Sequence, residues 1–196
     1  MKTQQNNSRA SIITIIFLAT VLMLGACTEK KVSAQQNTAT ASKGKAPKID
    51  IHTAVISGNI EALKQHIAAG TNINEKDPFG GSSPLISATL FGKTEMAKIL
   101  IDAGADLNFQ NNDGSTALHT AAFFCRPEIV KLLLDKKADK SIKNKYNSTA
   151  YESVAGEFKD VKSTYEMLGK MLAPMGLVLD FPYIEKTRPE IAAMLK

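Results

Sequence analysis

Tryptophan is missing from this chain of 196 residues, and cysteine occurs only twice. Two cysteines cannot build a disulfide framework, and no Cys/His spacing typical of a metal site occurs. The sequence also lacks a Gly-rich phosphate loop, a Ser/His/Asp set and a pair of carboxylates placed for acid–base work. We therefore expect a protein that is not an enzyme, with no catalytic site, no metal and no cofactor.

A strong charge of one sign is missing as well. The formal net charge is +5, and loss of residues 1–26, which hold Lys2 and Arg9 but no acid, would leave about +3. Neither a basic block nor an alternation of aromatic and basic residues occurs, and these patterns are typical of nucleic-acid-binding surfaces. We therefore expect no nucleic-acid partner.

One apolar run, interrupted only by two threonines, extends from Ile12 to Leu24. As a helix it would rise about 20 Å, which is too short for a bilayer core of about 30 Å. A basic start, a short apolar middle and small residues at the exit are typical of a secretory signal. The exit, Leu24-Gly25-Ala26-Cys27, resembles the bacterial lipobox.

The lipobox resemblance implies that Cys27 receives a diacylglycerol and becomes the first residue after cleavage. An ordinary signal peptide with an incidental cysteine is the alternative. Thr28 stands where aspartate would mark inner-membrane retention in enteric-type bacteria, so we expect an outer-membrane lipoprotein that faces the periplasm. Residues 28–48 hold one large apolar residue, Val32, and are expected to form a disordered tether.

A repeat with a period of about 33 residues dominates the rest of the chain. Leu85 aligns with Leu118 and Glu95 with Glu128, and each pair is separated by one period. An earlier unit fits when the offset is one residue longer, and a later unit restarts at Thr149. The recurring motifs are Ser-Pro-Leu at 83–85, Thr-Ala-Leu-His at 116–119, Ala-Gly-Ala-Asp at 103–106 and Lys-Ala-Asp at 137–139.

These units resemble the ankyrin repeat, in which two short helices are followed by a turn. The resemblance implies an all-α solenoid of about four helix–turn–helix repeats with a helical C-terminal cap. The predicted segments are a signal peptide (1–26), a lipid anchor and tether (27–48), ankyrin repeats (49–157) and a modified helical cap with a C-terminal extension (158–196). The repeats divide at about 49–76, 77–110, 111–143 and 144–157 onward. In the tail we expect a short Pro-started helix after Thr187.

Several positions depart from the repeat pattern. Cys125 replaces the glycine between two helices, Lys137 replaces the glycine at a helix exit, and Asn147 takes the glycine position of a finger turn, where asparagine tolerates a positive φ. Gly81 looks like a one-residue insertion. The first repeat lacks a capping Ser or Thr two residues before Ile51.

The candidate binding site lies at the ends of the first helices, in residues that we call the apolar strip: Leu90, Phe91, Phe123 and Phe124. The ankyrin resemblance places these positions in a concave groove, where polar residues are usual. Contiguous exposed apolar surface usually marks a binding site. We therefore expect the groove to bind a protein, with Phe79 and Tyr146 contributing from the finger tips. The alternatives are that the tether or the C-terminal tail covers the strip, or that Phe124 turns into the core.

The histidines and the second cysteine have structural interpretations. His52 and His119 share a column in which the resemblance implies hydrogen bonds to the backbone of adjacent turns; metal and general-base roles are the alternatives. His66 is expected to be a partly buried packing residue. Cys125 is either buried and inert, a redox sensor, or a link to a partner, and Arg126 beside it favours the thiolate only if the site is exposed.

The resulting functional hypothesis is a monomeric, membrane-anchored interaction module of the bacterial cell envelope that binds an unidentified envelope protein. One alternative is an immunity or inhibitor lipoprotein that neutralises a toxic periplasmic enzyme. Another is an envelope oxidative-stress factor with Cys125 as its sensor.

Overall fold

The computed structural model describes residues 45–196, which form nine α-helices and no strand. The helices are α1 (Ile51–Ser57), α2 (Ile60–Ala68), α3 (Pro84–Leu90), α4 (Thr94–Asp102), α5 (Ala117–Phe123), α6 (Pro127–Asp135), α7 (Glu152–Ala155), α8 (Phe158–Leu172) and α9 (Phe181–Leu195). The predicted all-α fold class is confirmed. The predicted signal peptide, Cys27 and most of the tether lie outside the described residues. Over 45–196, no helix has the length and apolar character needed to cross a membrane.

The first six helices form three hairpins that stack on one another. Within each hairpin the two helices pack together, and the first helices α1, α3 and α5 form a continuous row. Leu85, Leu118 and Leu133 are almost completely buried between these units. Their burial confirms the repeat register, because a shift of one position would rotate them out of the core.

The first helix of each of the first three repeats is capped by a side chain at its N-terminus. The hydroxyls of Ser83 and Thr116 accept hydrogen bonds from backbone N–H groups in α3 and α5. In the first repeat Asp50 has this role, since its carboxylate accepts the Thr53 N–H at 2.9 Å. Aspartate caps as well as serine does, so the first helix needs no Ser or Thr.

Three side chains occupy positions where the backbone turns left-handed. Cys125, Lys137 and Asn147 have φ values of 52°, 64° and 57°, so each keeps the conformation of the glycine that it replaces. Gly81 is also left-handed, and a Cβ there would lie 2.3 Å from the Asn112 side-chain oxygen. The additional residue in this finger is therefore a glycine because the next finger packs against it.

The fourth repeat is interrupted. Its first helix, the short α7, stacks on α5, and the helix that pairs with α7 and lies beside α6 is α9. The motif Arg188-Pro189-Glu190-Ile191 in α9 repeats Arg126-Pro127-Glu128-Ile129 at the start of α6. Ile129 and Ile191 are both fully buried in the main core. The second half of α9 is therefore the second helix of the fourth repeat.

The two Arg-Pro-Glu-Ile motifs are separated by almost two repeat periods instead of one, so the chain between them holds an additional segment. We call this segment, residues 157–185, the insertion. It contains α8, the 3₁₀ turn Ala173–Met175 and the first residues of α9. The last repeat is thus closed by α9, which follows the insertion along the chain.

The prediction that a Pro-started helix begins after Thr187 is wrong about the first residue of the helix. The helix begins at Phe181, because the Asp180 carboxylate accepts the Tyr183 N–H at 3.1 Å and caps it. Pro189 lies inside the helix, where it removes one backbone hydrogen bond. Burial of Ile184 before the proline and Ile191 after it holds both parts in place.

Candidate protein-binding surface

The insertion covers the apolar strip. Leu90, Phe91 and Phe123 are half-buried, and Phe124 is only 7% exposed. All four belong to one cluster with Leu168 and Leu177 of the insertion, together with Leu172 and Leu179. In these contacts the C-terminal tail covers the strip, which is one of the alternatives that the sequence left open. A role for the strip in partner binding stays a prediction.

Tyr165 holds α8 against the end of α5. Its ring is buried and stacks on Phe123 with 4.6 Å between ring centroids. Its hydroxyl donates to the Phe123 carbonyl oxygen and accepts a hydrogen bond from Arg188 Nη1 at 2.9 Å. Burial raises the pKa of Tyr165, so the phenol stays protonated and can donate this bond at neutral pH.

Arg188 joins the two ends of the insertion. Its side chain is 3% exposed, and Nη2 and Nε donate to the Gly156 carbonyl oxygen at 3.1 and 3.4 Å. Gly156 immediately precedes the insertion, and Arg188 lies just after it. A buried guanidinium needs several acceptors, and here a hydroxyl and a carbonyl provide them.

Cys125 lies under the insertion, where the side chain is fully buried with Val161, Tyr165 and Ile184. Its thiol donates to the Ile184 carbonyl oxygen at 3.6 Å. Burial raises the pKa of Cys125 to about 11, and the nearby arginines oppose this shift only in part. Because the thiolate is the reactive form, the thiol is unreactive at neutral pH while the insertion is in place.

The finger tips are the predicted site residues that remain in solvent. Phe79 is 90% exposed and Tyr146 is 46% exposed. The backbone beneath Phe79 is fixed, since the Asp77 carboxylate accepts the N–H groups of Phe79, Gly80 and Ser82 at 2.6 to 2.8 Å. Burial alone would raise the pKa of Asp77, but these three donors together lower it, so the carboxylate stays charged.

The histidines make the predicted backbone contacts. His52 Nε2 lies 3.1 Å from the Glu75 carbonyl oxygen, and His119 Nε2 lies 3.0 Å from that of Ser148. Burial lowers the pKa of His119, which therefore stays neutral at pH 7. His66 is buried and contacts the Ile49 carbonyl oxygen at 2.8 Å. In the part of the chain that the structure describes, no cluster of metal-binding side chains occurs.

Several residues at this surface were not identified from the sequence. Tyr165 and Arg188 fix the insertion, and its outer side exposes Met167, Met171 and Val178. The repeated Arg-Pro-Glu-Ile motif is a signal that would have located α9 in the fourth repeat. No comparable signal marks Tyr165, because its partners lie 42 and 23 residues away in sequence.

Comparison with known proteins agrees with this geometry. Residues 51–144 match the family model described as ankyrin repeats, in three copies. The chain is similar to human Protein phosphatase 1 regulatory subunit 27 (39% identical over 64 residues, covering 33% of this chain and 41% of that protein). It is also similar to human DNA-binding protein RFXANK (36% over 58 residues, covering 30% of this chain and 22% of that protein).

A solved structure supports the same assignment. The crystal structure of the ankyrin repeat domain of Bcl-3 is similar with a TM-score of 0.51 and 33% identity, covering 53% of this chain and 45% of that one. Residues 51–144 thus fold as an ankyrin-repeat solenoid, a fold that typically serves as a non-enzymatic protein–protein interaction domain. The chain spans about two fifths of the length of the regulatory subunit that it matches.

Proposed function

We propose that this protein is an interaction module of the bacterial cell envelope, anchored through lipid on Cys27 and binding a protein partner on the periplasmic face of the outer membrane. The ankyrin repeats support the interaction role, and the lipobox-like exit at residues 24–27 supports the anchor. The observation that carries the choice of contact surface is the 90% exposure of Phe79 on a hydrogen-bonded turn.

An exposed phenylalanine on a fixed backbone is well suited to binding. Aromatic side chains supply much of the free energy at protein interfaces, and a rigid turn loses little conformational entropy when it is bound. Tyr146 provides a second aromatic group on a later finger, where Asn144 Oδ1 accepts its N–H at 3.0 Å. The row of finger tips is therefore the surface that we assign to partner binding.

The test replaces Phe79 by alanine. The envelope partner is first recovered with the full chain and then purified. We expect its binding free energy to weaken by about 2 kcal/mol, so that Kd rises roughly 30-fold. Titration calorimetry measures the affinity, and a thermal melt checks that the fold is unchanged. Val178→Ala is the matched control, because Val178 is 83% exposed but lies on the insertion. Equal affinity of the Phe79 variant and the wild type would contradict the proposal.

The alternatives from the sequence differ in their support. A toxic periplasmic enzyme would be one kind of partner, so an immunity or inhibitor role is a narrower form of the same proposal. A sensor role for Cys125 is less favoured, because the thiol is fully buried and its pKa is raised to about 11.

A further inference from the structure

The main apolar core of the described residues shares no member with the two smaller apolar clusters. The main core includes residues from α1 to α7 and, from α9, Ile191 and Leu195, but none from the insertion. The buried apolar residues of the insertion lie in two smaller clusters with Cys125 and the apolar strip. The core of the four stacked repeats is therefore built without any side chain of the insertion.

The contacts of the insertion show which chemistry the strip accepts. Leu168 and Leu172 come from α8, and Leu177 and Leu179 from the chain that follows it. They meet the aromatic side chains at the ends of α3 and α5, where Leu90 is the aliphatic member of the strip. The end of α8, with Leu168 and Leu172 one turn apart on one helical face, and the chain that follows it thus fill the strip together, and the helical part packs as in helix-in-groove complexes.

We propose that the apolar strip is a docking site for a leucine-bearing amphipathic helix of a partner protein, and that the insertion is an intramolecular ligand which occupies this site until the partner displaces it. This inference rests on the proposed interaction function. Because both ends of the insertion are covalently attached, its effective concentration at the strip is high, and only a partner with good complementarity competes.

Few polar contacts hold the insertion against the repeats, so its release can be tested with single substitutions. The polar link consists of the Tyr165 hydroxyl, Arg188 and the carbonyl oxygens of Phe123 and Gly156. Release of the insertion would expose Cys125, which is covered by Val161, Tyr165 and Ile184. The thiol therefore reports on undocking, and regions that open locally react without global unfolding.

The experiment uses the full chain with Cys27→Ser, so that Cys125 is its one thiol. Leu177→Ser weakens the insertion, and the neighbouring Val178→Ser is the matched control, since Leu177 is buried against the strip and Val178 is exposed. We expect Leu177→Ser to raise the rate of Cys125 alkylation at least tenfold while the cooperative thermal melt of the repeats is retained. Val178→Ser should change the rate less than twofold.

A synthetic peptide of residues 158–180 is the probe for the docking site. It should bind the Leu177→Ser chain saturably and slow Cys125 alkylation again, whereas the same peptide with Leu168 and Leu177 replaced by serine should not. The inference is overturned if Leu177→Ser leaves the alkylation rate unchanged, if it unfolds the repeats, or if the peptide gives no protection. None of these measurements uses the envelope partner or Phe79, so failure here is distinguishable from failure of the proposed function.

Discussion

Three side chains that replace repeat glycines carry strain in the backbone. Cys125, Lys137 and Asn147 all have positive φ, a region that costs most L-residues about 1–2 kcal/mol. Their surroundings differ, because Cys125 is fully buried and donates to the Ile184 carbonyl oxygen, while Lys137 and Asn147 are exposed. The buried thiol gains contacts that offset the strain, and the exposed lysine does not.

Lys137→Gly should therefore stabilise the protein by about 1 kcal/mol, because glycine adopts the left-handed conformation without a steric penalty. The measurement is the free energy of unfolding from urea denaturation. Asn147→Gly is the control and should give a smaller gain, since asparagine tolerates this conformation better. A loss of stability at position 137, or a larger gain at 147, would contradict this account of the strain.

The element whose role the sequence least anticipated is α9. The sequence analysis assigned residues 158–196 to a modified helical cap with a C-terminal extension, yet α8 lies apart from the main core, and α9 pairs with α7. Stacked repeats need a terminal unit that covers the last apolar face. Ile191 and Leu195 provide that cover, so α9 caps the solenoid from the end of the chain.

We expect Ile191→Ala to cost about 2–5 kcal/mol, the same range as Leu133→Ala, because both side chains are fully buried in the main core. Urea denaturation of the two variants gives the comparison. Glu190→Ala is the control, since Glu190 is the exposed neighbour of Ile191. A cost below about 1 kcal/mol for Ile191→Ala would show that α9 is not part of the stack.

The whole molecule combines a proposed membrane anchor with a folded interaction module. A single acyl chain binds membranes only marginally, so the proposed anchoring would need two or more acyl chains on Cys27.

Cys27→Ser should abolish incorporation of labelled palmitate and move the protein from the detergent phase to the aqueous phase, because serine has no thiol to accept the lipid. The other cysteine gives a matched control, and Cys125→Ser should keep both the label and the detergent partition. If wild type and Cys27→Ser partition alike into the aqueous phase, the lipoprotein hypothesis fails.

The sequence by itself determined the features that depend on local spacing. The repeat period follows from short motifs that recur from unit to unit, and the resemblance of these motifs to the ankyrin repeat implied the backbone contacts of His52 and His119. These features are predictable because each repeat packs only against its neighbours, so the same residues meet the same surroundings.

Only the tertiary structure decided what covers the apolar strip and which helix closes the fourth repeat. A partner, the tether or the chain's own tail would each remove an apolar side chain such as Phe124 from water equally well. The presence of phenylalanine at this position therefore cannot show which of the three covers it. The choice depends on contacts across long stretches of sequence, such as the 42 residues between Tyr165 and Phe123. Such contacts have no period to reveal them, and they exist only once the whole chain has folded.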